Sequence, residues 1–199
     1  RSLACLGELV ALDRHSPGGN LEDLDGLART VAQVRPRLIV NAAAHTAVDR
    51  AEAEPDLARR LNAEAPGVLA DQARQVGALL VHYSTDYVFE GSGTQPWRED
   101  DPVAPASVYG RTKAEGEQAI RAAGCDHLIF RTSWVYAARG GNFMQTMLRL
   151  ARERDRLAVV SDQVGAPTGA ELIADVTLLA AREVLSGRAP GGTYHLAPQ

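Results

Sequence analysis

The feature that most constrains this chain is an alternation of two kinds of segment. Short apolar runs, often ending in small or hydroxylated residues, alternate with longer stretches in which apolar residues recur at helical spacing. Runs at Glu8–Leu12, Leu38–Val40, Leu79–Thr85, Leu128–Arg131, Leu157–Val160 and Tyr194–Leu196 read as strands. Between them, Leu24, Leu27, Val31 and Val34 form one helical stripe, stopped by Pro36. Leu57, Leu61, Ala65, Leu69, Ala73 and Val76 form another, with Pro55 at its start and Gly77 at its end. Pro66 lies inside that stripe and is expected to kink the helix or divide it, since it supplies no N–H. A third helix runs from about Tyr109 to Ala123 and stops at Gly124. A fourth carries Phe143, Met147, Leu150 and Ala151. The last carries Leu172, Val176, Leu179, Ala180 and Val184, with Thr168 as its expected N-cap and Gly187 as its end.

Strand–helix alternation of this kind predicts an α/β fold, a doubly wound, mostly parallel sheet covered on both faces. In such sheets a ligand lies outside the carboxyl ends of the strands. Asp13, the Ala42–Thr46 segment, Ser84–Thr85 and Thr132–Trp134 all fall at predicted carboxyl ends, which points to a dinucleotide-dependent enzyme.

Composition narrows the classes. The chain has 199 residues, 45% hydrophobic content and a net charge of −4, so it has no electrostatic footprint for nucleic acid. No apolar run approaches the ~20 residues of a membrane span. The two cysteines, Cys5 and Cys125, form no motif and suit a reducing cytoplasm. No repeat is read along the chain, and no signal peptide is expected.

Tyr109 and Lys113 stand four residues apart, on one face of a helix. A neighbouring ammonium favours the phenolate and is expected to lower the tyrosine's pKa from about 10 toward working pH. A tyrosine tuned in that way gives a proton to a carbonyl oxygen or takes one from an alcohol. The Thr85 hydroxyl, at the end of a strand, is placed to hold the same oxygen. Elsewhere two readings stay open. Asp13 is either the acid that holds a cofactor ribose or a surface residue that closes a strand. His45 is either a catalytic imidazole or a histidine bonded to backbone. The loop from Glu90 to Pro105 lies between Thr85 and Tyr109 in sequence and is expected to border the substrate.

With these residues in hand, the chain resembles the dTDP-4-dehydrorhamnose reductases of the extended short-chain dehydrogenase/reductase superfamily. The resemblance is carried by Val40–Asp49, His82–Phe89, Tyr109–Lys113, Phe130–Tyr136 and Asp162–Gly169. It implies NADPH- or NADH-dependent reduction of the 4-keto group of dTDP-4-dehydro-L-rhamnose, a sugar-nucleotide step toward cell-surface polysaccharide. It implies Tyr109 as the acid, Lys113 as its electrostatic partner and a ribose contact, and Thr85 as a ligand of the keto oxygen. Asp86 and Trp134 would contact the sugar. Asp13, Asn20, Leu21, Ala44, His45, Thr46 and Tyr83 match cofactor-contacting positions, and Glu171 matches one ligand of a Mg²⁺ site seen in some members. Asn20 stands where the family usually has an acid. The resemblance lacks the first strand, the Gly-rich phosphate loop and a C-terminal portion, so the expectation is a fragment that binds cofactor weakly by itself. Residues 1–135 are expected to form the dinucleotide-binding domain and 136–199 part of the substrate region, interleaved with it. A homodimer is the expected assembly. Two other functions compete: a non-catalytic NADP(H)-binding regulatory subunit, and another sugar-nucleotide enzyme such as an epimerase or dehydratase. Asp13 favours NADH and Arg14 accepts a 2′-phosphate, so the sequence leaves the cofactor open.

Overall fold

A computed structural model describes residues 2–198. Its elements in chain order are α1 (Leu24–Val34), β1 (Leu38–Asn41), α2 (Val48–Ala53), α3 (Pro55–Arg59), α4 (Ala65–Val76), β2 (Leu79–Thr85), α5 (Val108–Ala123), β3 (His127–Thr132), β4 (Val135–Tyr136), α6 (Phe143–Glu153), β5 (Thr168–Gly169), α7 (Ala170–Leu185) and β6 (Gly192–His195). One four-stranded sheet has the order β1-β2-β3-β6, parallel throughout, and β4 pairs with β5 in a separate two-stranded ribbon.

The sheet is buried on both faces, so its strands are apolar on successive residues rather than alternating with polar ones. On one face Leu80 and Ile129 meet Leu27 and Val31 of α1, Leu69 and Ala73 of α4, and Ile120 of α5. On the other, Leu79, Val81, Leu128 and Phe130 meet Ala181 and the flanking residues of α7. The chain therefore leaves the sheet on one face through α4 and α5 and on the other through α7, which is the doubly wound arrangement. The region after residue 136 divides: α7 and β6 return to the main sheet, while β4, α6 and β5 stand at its carboxyl end.

The helix limits follow local chemistry. The Asp23 carboxylate accepts from the Gly26 N–H at 2.9 Å and caps α1. Gly77 and Gly124 end α4 and α5 with φ of 71° and 70°, the left-handed conformation that a glycine adopts without strain. Pro66 does divide its helix. It has no N–H to offer the Asn62 carbonyl four residues back, and the turn before it widens into a π turn, Arg60–Glu64. Gly116 of α5 lies directly on that widened turn, where a Cβ would fall 2.1 Å from the Asn62 carbonyl oxygen. Gly116→Ala is expected to cost about 2–3 kcal/mol, because backbone blocks the added methyl. Urea unfolding of the two chains measures it, and an unchanged midpoint would contradict this packing.

Three expectations are corrected. Glu8–Leu12 is not a strand: it pairs with nothing among the described residues, and Leu9, Val10 and Leu12 stay largely exposed. Leu157–Val160 is likewise extended but unpaired, with Val160 67% exposed. An apolar run becomes a strand only where a neighbour completes its hydrogen-bond ladder. Thr168 does not cap α7. Its hydroxyl donates to the Ala166 carbonyl, its backbone pairs with Val135, and Gly169 takes the cap position without a side-chain bond. No described helix is long and apolar enough to cross a membrane.

Candidate active site

The carboxyl edge of β1, β2 and β3 gathers most of the singled-out residues. Thr85 ends β2, and the chain turns at once through a 3₁₀ turn, Asp86–Val88. Thr85 Oγ1 accepts from the Tyr87 N–H at 3.2 Å and donates to Asp86 Oδ1 at 3.1 Å. The other carboxylate oxygen of Asp86 accepts from the Ser133 hydroxyl at 2.6 Å, which ties the end of β2 to the end of β3. Tyr109 enters from α5, whose first turn is capped by Ser107, with Gly110 N–H donating to Ser107 Oγ at 3.1 Å. Gly110 allows this approach: a Cβ there would lie 2.2 Å from the Tyr87 carbonyl oxygen. The Tyr109 ring then meets Tyr87 edge-on at 5.7 Å, and the Thr85 hydroxyl is near enough to act on the Tyr109 phenol.

The electrostatics depart from the sequence expectation. Burial pushes the Tyr109 phenol up to about 12, with the Thr85 bond pulling the other way and Asp86 adding to the rise. Lys113 does not lower it, because its side chain is turned onto the sheet. Lys113 Nζ donates to the Tyr83 carbonyl at 2.5 Å and lies 3.1 Å from His82 Nε2. Burial pushes Lys113 down to about 8, only partly opposed by Glu117. The i, i+4 spacing sets both side chains on one face of α5, but burial decides where a flexible lysine ends.

The remaining residues divide. Ala42, Ala43 and Thr46 are exposed at the carboxyl end of β1, and Ala44 is half-buried there. His45 follows the blander of its two readings. Its backbone N–H donates to Asn62 Oδ1 at 2.8 Å, and its Nε2 lies 3.3 Å from Glu54, while Nδ1 is buried without a partner. Asp13 sits in a loop, not at a strand end. Its carboxylate accepts from the His15 N–H, the Ser16 hydroxyl and the Ser16 N–H, which hold it below the usual range. Asn20 accepts from the Glu22 N–H, and Leu21 packs against the α1 core. Tyr83 turns its hydroxyl to the far face of the sheet, 2.8 Å from Thr177 of α7, so its backbone carbonyl is what reaches this edge. Trp134 takes a left-handed φ of 43°, is 44% exposed, and lies so close to Gly165 that a Cβ there would meet its indole at 2.4 Å. The Glu90–Pro105 loop is anchored through Trp97, which stacks on Phe89 at 4.9 Å. Glu171 is exposed on the first turn of α7, and among the described residues no three His, Cys, Asp or Glu converge.

Of the residues that support the site, Asn62 and Glu117 were not singled out from the sequence, while His82 and Ser133 lay within stretches that were, without a role of their own. Asn62 is fully buried and bridges His45 to Thr112, accepting from the His45 N–H and donating to the His45 carbonyl and the Thr112 hydroxyl. A lone amide within an apolar helical stripe, just before a proline, is the signal that marks it. His82 has the period-two parity of Leu80 and Ser84, facing α5. Glu117 carries no sequence signal of its own.

Comparison with known proteins bears on the family and the fold. The family described as RmlD substrate binding domain matches residues 1–199. The dTDP-4-dehydrorhamnose reductase of Escherichia coli K12 is 55% identical over 198 residues, 98% of this chain and 66% of its own length. That of Salmonella typhimurium is 56% identical over the same shares. Among solved structures, the dTDP-4-dehydrorhamnose reductase of Bacillus anthracis in complex with NADP superposes with a TM-score of 0.87 at 34% identity, over 96% of this chain and 66% of its own. The chain thus spans just under two thirds of the length of these relatives. From the matched residues and the shared fold, the chain belongs to the RmlD substrate binding domain family.

Proposed function

We propose that this chain carries the catalytic edge of a nicotinamide-dependent reductase of a 4-keto sugar nucleotide, converting dTDP-4-dehydro-L-rhamnose to dTDP-L-rhamnose. The observation that carries this reading is the meeting of Thr85 and Tyr109 at the carboxyl edge of a parallel sheet, with Lys113 one turn along the same helix. The names of the close relatives support the substrate, and the NADP of the Bacillus anthracis structure supports the cofactor class. The exposed backbone of Ala42–Ala43 and the unpartnered buried His45 Nδ1 fit a group that offers hydrogen bonds at this edge.

NADPH or NADH, when bound, supplies the hydride that reduces the carbonyl carbon. The chain's own residues do the rest. Thr85 Oγ1 donates to the keto oxygen once it leaves Asp86, and strengthens that bond as charge develops. Tyr109, protonated throughout the neutral range, gives its proton to the same oxygen, so the carbonyl gains one hydride and one proton and becomes an alcohol. Asp86, held by Ser133, is positioned to accept a sugar hydroxyl, and the exposed Trp134 indole offers a flat wall for the ring. A regulatory subunit that only binds NADP(H) has no need for Thr85, Tyr109 and Lys113 at one edge.

The test is consumption of NADPH or NADH by this chain and by one extended at both ends to the length of its relatives. Oxidation that requires the keto-sugar nucleotide is the expected result. Cofactor binding in the extended chain with no turnover under any of these conditions would replace the reductase with the regulatory subunit.

A further inference from the structure

Among the described residues, two that are not glycine take a left-handed backbone, Arg35 and Trp134. Arg35 simply ends α1. Trp134 stands between Thr132, the last residue of β3, and Val135, the first of β4. A bulky aromatic residue at φ of 43° is strained, and strain of this kind collects at working sites. The backbone on both sides is fixed. Thr132 is in register with Thr85 on β2, and the Ser133 hydroxyl donates to Asp86. The Trp134 carbonyl accepts from the Thr168 N–H at 3.3 Å. Thr168 is fully buried and begins β5, the partner of β4.

What this backbone places is the indole. A Cβ on Gly165 would lie 2.4 Å from Cε2, 2.6 Å from Nε1 and 2.8 Å from Cδ2 of Trp134. All three atoms belong to the five-membered ring, and both ring-fusion carbons are among them. Gly165 therefore lies against the face of the indole and not its rim. Trp134 is 44% exposed, so solvent reaches the opposite face. Gly165 has no left-handed φ of its own, so its backbone suits any residue. The need for glycine comes from the indole, which supplies all three of the nearest atoms. Because the Trp134 backbone is held on both sides, the half-exposed ring is what yields to an added methyl.

We propose that Gly165 is a positioning residue for the sugar: the bare backbone of the Asp162–Thr168 segment seats one face of the Trp134 indole and sets the other against the C–H face of a sugar ring, beside Thr85 and Asp86. A pyranose offers C–H groups on its faces and hydroxyls at its rim, so a flat apolar wall and a carboxylate beside it suit both. The inference rests on the reductase reading above, in which Trp134 is that wall. It adds that residue 165 governs how tightly the sugar nucleotide is held, through the indole. The effect falls on binding and not on proton transfer at Tyr109.

The chain has two tryptophans, Trp97 and Trp134. Trp97→Phe keeps an aromatic ring stacked on Phe89 and leaves Trp134 as the one emitter. In that background, without ligand, Gly165→Ala should shift the emission to the red and open it to acrylamide quenching. In the chain extended at both ends, Gly165→Ala should raise KM for the keto-sugar nucleotide about tenfold and leave kcat within about twofold, since the wall serves ground and transition states alike. In a Trp134→Ala chain, Gly165→Ala should raise KM no further, because the ring it acts through is gone. An equal rise in both backgrounds gives Gly165 a role apart from the indole and overturns the proposal. So does a folded Gly165→Ala chain with unmoved emission. If that variant does not fold, the Gly165 α-proton resonances of the parent chain decide. Lying on the indole face, they should be shifted upfield and return on Trp134→Ala, and unshifted α protons overturn the seat. Absence of turnover in every chain sinks the reductase reading alone, and the emission and α-proton results then decide the seat.

Discussion

Tyr109→Phe is expected to lower turnover by about 10²–10⁴-fold while leaving cofactor affinity nearly unchanged, because it removes one proton donor and little else. The phenyl ring keeps its edge-on contact with Tyr87, and the capped first turn of α5 does not involve the hydroxyl. The missing group is the phenol oxygen beside Thr85, at the edge where a carbonyl would sit. The pH behaviour follows from the same burial. A phenol held at about 12 stays protonated at every working pH, so it is ready to act as an acid. Its raised value stabilises the folded chain fully below the unfolded tyrosine value of about 10, and this stability is lost as pH rises from there through about 12. Steady-state oxidation of NADPH with the keto-sugar nucleotide, paired with a binding titration, measures both effects. A rate within a factor of two of wild type would remove Tyr109 from the chemistry.

Arg131→Met is expected to cost about 3–5 kcal/mol of folding stability, the largest loss we anticipate from a single side chain away from the reacting atoms. Arg131 and Glu117 are both buried, at 5% and 0% exposure. The guanidinium donates through Nε at 2.9 Å and Nη2 at 2.8 Å to the two oxygens of the Glu117 carboxylate, joining β3 to α5. Its Nη1 donates to the Glu99 carbonyl at 3.0 Å, and its plane lies over the Phe89 ring. Glu99 in turn accepts from the His195 N–H, so one arginine ties the sheet, α5, the Glu90–Pro105 loop and β6 together. Removing it leaves a carboxylate buried, with only the half-exposed Arg121 beside it. Burial alone would raise the Glu117 pKa, but the Arg131 bonds outweigh it and the net shift is downward. A lowered carboxyl contributes stability above its unfolded value of 4.5, and loses it as pH falls through the folded value. The paired change Arg131→Met with Glu117→Leu should recover much of the loss, since no unpaired charge remains. Urea unfolding of the single and double variants measures it, and a single variant as stable as wild type would refute the clasp.

Local chemistry was legible in the sequence wherever a segment carries its own signal. The stripe from Leu24 to Val34, the glycines that end α4 and α5, the dividing role of Pro66 and the carboxyl-end position of Thr85 all depend on residues near one another in the chain. The parallel sheet followed from the same signals, because helices of that length between short apolar runs leave few other topologies. The two false strands show the limit. Glu8–Leu12 and Leu157–Val160 are as apolar as β1, but a strand is a pairing, and the pairing partner is not a property of the run itself.

The site divides in the same way. Tyr109, Lys113 and Thr85 stand out in the sequence because their types and spacing are distinctive. Their protonation was misread, because spacing says nothing of depth. The lysine that should have tuned the tyrosine lies 1% exposed against His82, and burial moves both groups the opposite way to simple pairing. Trp134 and Gly165, and Arg131 and Glu117, come together only in the fold. The sequence alone determined which chemistry the chain could hold and at which edge. Only the tertiary structure decided which groups are charged there, because charge depends on the solvent and the partners that folding removes or supplies.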